Sequence, residues 1–139
     1  MVVARNQEHY VIMTVIYDAL SDIEHGEGKG FHDVKNLVSE LSGVPYEQVS
    51  NYVKTTINES LIHYSDVVLA FQPRLINWTW DRLPLLTRSI LVMSYAHFFY
   101  IEEVDKRIVI DIAVNLAKKY IDDKQAKFIN AILDGGVLA

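Results

Sequence analysis

A chain of 139 residues is one domain's worth of sequence, and with half of it hydrophobic and 11% aromatic it is too apolar to remain disordered. It contains no run of 18 uncharged apolar residues to span a bilayer, and the lack of cysteine removes disulfides and thiolate zinc sites. The net charge of −5 argues against broad affinity for nucleic acid, but residues 1–70 carry four Lys/Arg against ten Asp/Glu, while residues 71–139 carry nine against eight.

The opening MVVARNQEHYVIM lacks the basic region and small-residue cleavage site of a signal peptide, so a cytoplasmic address is expected. From Glu8 to Ile23, apolar residues recur at Ile12, Ile16, Ala19 and Ile23, the spacing of a helix with one buried face. The glycine-rich HGEGKG at 25–30 ends it. Asp33 then caps a short helix carrying Val34, Leu37, Val38 and Leu41, which stops at Ser42-Gly43. From Pro45 the pattern Val49, Val53, Ile57, Leu61, Tyr64, Val68 predicts about six turns of one helix, the longest of the chain. Pro73 interrupts it, and a short segment with Trp78 and Trp80 leads to Pro84.

Leu85 to Tyr100 is apolar almost all round, which predicts a helix at the centre of a bundle. Next, Val109, Ile112, Ala113, Leu116, Ala117 and Tyr120 form one stripe, with Arg107, Asp111, Asn115 and Lys118 on the other side. Asp123 is placed to cap a last helix with Phe128, Ile129, Ile132 and Leu133 inward, ended by Gly135-Gly136. The expected fold is all-α: six or seven helices forming one domain, with subdomains of about 1–70 and 71–139.

No arrangement of residues asks to be an active site. The histidines at 9, 25, 32, 63 and 97 lack metal-ligand spacing, and GEGKG lacks the spacing of a phosphate loop. The serines show no nucleophile elbow, and Glu102-Glu103 lies in a polar turn that keeps both carboxylates solvated. A protein that binds, without metal or cofactor, is expected.

Three segments of the second half are specific. Thr87-Arg88-Ser89-Ile90-Leu91, then Ile110-Asp111-Ile112-Ala113-Val114-Asn115-Leu116-Ala117-Lys118, then Phe128-Ile129-Asn130-Ala131-Ile132-Leu133-Asp134 resemble, in order and spacing, the C-terminal half of the NusB family. In the first half, Val15-Ile16-Tyr17 is similar to that family's first-helix signature. The resemblance implies two helical subdomains packed together and a transcription antitermination factor that binds boxA-like RNA together with the ribosomal protein NusE. It implies RNA contacts from Arg5, Arg88, Lys118, Lys119, Lys124, Lys127 and Phe128, and a protein-partner surface including Tyr17 and Thr87. Homodimers are a further expectation.

The sequence departs from the pattern where the family opens with several arginines: here the segment is Arg5-Asn6-Gln7-Glu8-His9. Val92, Ala96-His97 and Asp111-Ile112 likewise replace polar signatures. An alternative therefore stays open, a protein-interaction module of the same fold that has lost RNA binding. The residues have plainer readings too: lysines solvating helix surfaces, Phe128 as core, and Tyr17 as a buried tyrosine.

Overall fold

The computed structural model describes residues 5–26 and 31–138, and every regular element among them is helical. Helix α1 (Arg5–Glu24) turns Val11, Ile12, Val15, Ile16 and Leu20 into the core. Most of the glycine-rich segment after it, residues 27–30, lies outside the described residues. Helix α2 (Phe31–Ser42) begins two residues before the expected cap, so Asp33 sits in its first turn, where a carboxylate still meets the positive end of the helix. It ends at Gly43, whose φ of 73° is a left-handed setting that glycine adopts without cost.

The stripe from Val49 to Val68 belongs to two helices and a short turn rather than one helix, and α1, at 20 residues, is longer than either. Tyr46–Gln48 form a 3-10 turn, and Ser50 then caps α3 (Asn51–Ile62), its hydroxyl accepting from the Val53 amide. At His63 the backbone leaves helical geometry (φ −97°, ψ 15°) before α4 (Tyr64–Phe71). The His63 ring is held at that break by Glu59 at 2.9 Å and by stacking on Tyr100 at 4.0 Å. Apolar periodicity passes through the break unchanged because α3 and α4 cover the same core: Val53 and Ile57 from one, Val67 and Phe71 from the other.

Helix α5 (Leu85–Ala96) takes the central place its composition predicts. Nine of its residues, among them Thr87, Arg88, Ser89 and Ser94, are buried. It packs against α1, α3, α4, α6 (Lys106–Tyr120) and α7 (Asp123–Ile132). Its serines do not leave polar atoms stranded: Ser89 and Ser94 donate to the carbonyls of Leu85 and Ile90, at 2.9 and 2.7 Å. The helix does not run regularly to Tyr100, because residues His97–Ile101 form a wider π turn.

Helix α6 buries Val109, Ala113, Leu116 and Ala117 as expected, and Ile110 as well. The cap of α7 is Asp122, one residue before the expected Asp123: its carboxylate accepts from the Gln125 amide at 2.7 Å. Gly135-Gly136 do not stop the chain at once; residues Leu133–Val137 continue as a π turn. Replacing Asp122 by alanine removes this cap and is expected to cost about 1 kcal/mol, read as a fall of a few degrees in thermal midpoint. An unchanged midpoint would mean that α7 is held by packing alone.

Candidate nucleic-acid interface

The lysines expected to meet RNA come together where α6 hands over to α7. Lys118 and Lys119 occupy the last turn of α6, where cations stabilise the negative end of the helix dipole. Lys124 is different. It sits in the first turn of α7, at the positive end, where a cation works against helix stability and is partly offset by Asp122 and Asp123. Lys127 follows one turn later.

All four lysines are exposed, and none forms an ion pair with a described residue. Lys118 and Lys127 face a shared groove of about 410 Å³ between the two helices, lined also by Asp111, Val114, Asp123, Ala126 and Asn130. The two aspartates temper the positive charge inside the groove, so the cationic surface is strongest on its rim. Lys119 lies over the Tyr120 ring, 5.5 Å from its centre, and Tyr120 packs on Tyr10 of α1 at 5.3 Å. That contact brings the beginning of α1 to the lysines. Arg5 opens α1 about 7.5 Å along the axis from Tyr10, and its side chain lies outside the described residues.

Arg88 does not join them. It is only 5% exposed, its Nε donating to the Leu83 carbonyl at 3.1 Å and its Nη2 to Glu24 at 2.8 Å. Its charge is spent on tying the end of α1 to the turn before α5, which takes it out of the RNA-facing set. Thr87 is also withdrawn from the partner surface. It is fully buried, and its hydroxyl donates to Gln125 at 2.8 Å, joining α5 to α7. Tyr17 is 39% exposed on α1 and available to a partner.

Phe128 is partly buried and faces away from the lysine groove, into a second groove on the other side of α7 shared with Arg74, Ile76 and Trp78. Those last three were not singled out from sequence. A signal existed: tryptophan in a short segment between Pro73 and Pro84 has little helix to bury it. Among the described residues, no group of His, Asp and Glu is arranged to hold a metal, and no helix is long and apolar enough to cross a membrane.

Residues 7–136 match the model of the NusB family. The transcription antitermination protein NusB of Listeria monocytogenes (strain CLIP80459) is 27% identical over 115 residues, covering 83% of this chain and 84% of that protein. That of Chloroherpeton thalassium is 25% identical over 134 residues, covering 96% of this chain and 61% of the longer relative. Among solved structures, T. maritima NusB superposes with a TM-score of 0.76 at 19% identity, over 97% of this chain and 91% of the other. A chain from the crystal structure of the antitermination factors NusB and NusE in complex with dsRNA gives 0.72 at 22% identity, over 94% of this chain and 93% of that one.

Proposed function

Because this chain belongs to the NusB family, we propose that it is a transcription antitermination factor that binds boxA-like RNA together with the ribosomal protein NusE. It works by binding rather than by catalysis, in the cytoplasm. The observation that carries the RNA half of this reading is the group of four exposed, unpaired lysines at the α6–α7 junction of an otherwise acidic protein. Ammonium groups that no carboxylate holds are free to neutralise RNA phosphates and release the counterions condensed on them, the main source of affinity in such complexes. Lys124 supports the same view, since its place at the start of α7 does little for the helix.

The alternative of a protein-interaction module without RNA binding drew on the missing N-terminal arginines. The α6–α7 lysines offer the charge those arginines would have contributed, on the side where α1 begins. Tyr17, on α1, is the residue we assign to the NusE surface.

The test is a titration of labelled boxA-like RNA and a scrambled control, at two salt concentrations, with and without NusE. Binding that prefers the boxA-like sequence, weakens steeply with salt and tightens with NusE is the expected result. A folded sample that binds neither RNA in any of these conditions would defeat the proposal.

A further inference from the structure

The loop between α4 and α5 exposes apolar surface that packing does not explain. Ile76 is 81% and Trp78 53% exposed, whereas Trp80, two residues on, is buried against Phe71 with its indole N–H donating to the Tyr64 hydroxyl at 2.8 Å. Asn77 stands between Ile76 and Trp78 in the left-handed region (φ 64°), an uncommon setting for a residue with a side chain. The loop is nonetheless pinned. Gln72 accepts from the Trp80 amide at 3.0 Å and donates to the Trp78 carbonyl at 3.4 Å. Trp78 is thus presented on a fastened loop.

It lines a groove of about 620 Å³ with Phe128 of α7. Arg74 reaches across the groove floor onto Gly136, so close that a Cβ there would meet the Arg74 Cδ at 3.1 Å. Among the described residues, no Asp or Glu lines this groove, unlike the lysine groove along α7. Phe128 lies one turn from Lys124 and next to Lys127, so the aromatic groove adjoins the cationic ridge.

We propose that this groove receives an unpaired RNA base, with Trp78 and Phe128 as its stacking faces and Arg74 as the cation beside it; this rests on the RNA-binding reading above. Aromatic faces beside a cationic track are the means by which single strands are held, because every base offers a π face. Continuity with the lysines, and a lining without Asp or Glu among the described residues, favour an RNA base over a protein segment.

The experiment titrates the full chain, Trp78→Ala and Trp78→Phe with single-stranded boxA-like RNA and with a duplex of the same sequence, following RNA anisotropy and tryptophan emission. Trp78→Ala is expected to lose about 5- to 150-fold in affinity for the single strand, the range for one lost base stack, with its salt slope unchanged. Trp78→Phe keeps most of the affinity, the duplex is indifferent to both changes, and RNA quenches the native emission but not that of the variants. If the native chain binds RNA but Trp78→Ala binds the single strand equally well, the groove is wrong and the antitermination reading stands. In a parallel titration of the same three proteins with NusE, a loss of NusE binding in Trp78→Ala with RNA affinity intact would overturn the proposal and make the groove a protein site. A native chain that binds no RNA at all overturns both proposals together.

Discussion

Arg88→Ala is expected to lower the unfolding free energy by about 2–4 kcal/mol, below the upper range for a fully buried pair because Glu24 is partly exposed. Three losses add up. The Leu83 carbonyl loses its donor, Glu24 loses its counter-charge, and a long side chain vanishes from a helix whose neighbours are packed around it. For a chain of this size the thermal midpoint should fall by on the order of 10 °C. Arg88→Lys should recover only part of this, since an ammonium cannot hold the carbonyl and the carboxylate with the same planar fork. Calorimetry of both variants decides the matter. A midpoint within a degree or two of the native value would show that the ion pair is incidental. An RNA affinity lost in a fully folded variant would return Arg88 to the binding surface.

Replacing Lys118, Lys119, Lys124 and Lys127 together by alanine should have the opposite signature: little change in stability and a large change in binding. Removing four phosphate contacts to a single strand lowers the salt slope by roughly 3 and the affinity at moderate salt by on the order of 100- to 1,000-fold. Because all four side chains are exposed and unpaired, the thermal midpoint should move by no more than a few degrees. Anisotropy titrations at several salt concentrations give both quantities from one series. An unchanged slope would mean that the lysines only solvate α6 and α7, and the electrostatic contacts would have to be sought elsewhere.

These two variants also mark how far residues could be read from sequence. Periodicity located α1, α5, α6 and α7 because each has one dominant buried face, or in α5 nearly no exposed one. It could not find the break at His63, since α3 and α4 feed the same core and leave the apolar spacing intact across it. The π turns after α5 and α7 escaped for a related reason: one extra residue in a turn hardly disturbs a short apolar pattern.

Charge misled at Arg88. As a cation in a family motif it invited a surface reading, although its neighbours Ser89, Ile90, Leu91 and Val92 belong to a helix with almost no outward face. A charged residue in such a helix needs an internal partner, and Glu24 lies 64 positions away, beyond the reach of local pattern. The lysines were easier to read because amphipathic helices place them outside regardless of tertiary detail. Ile76 and Trp78 were missed because apolar side chains are assigned to the core by default, and only a structure shows that the core is already filled by Trp80 and Phe71.

The central place of α5 has a consequence for how the protein is made. Helices α1 and α3 are synthesised first, yet the surface they need is the helix beginning at Leu85, and the clasp between Glu24 and Arg88 closes late. While residues up to about 80 emerge from the ribosome, α1, α2 and α3 can already pack on one another, but the faces of α1 and α3 that meet α5 stay open. The N-terminal half is therefore expected to keep apolar surface exposed until α5 is made and packs into its middle.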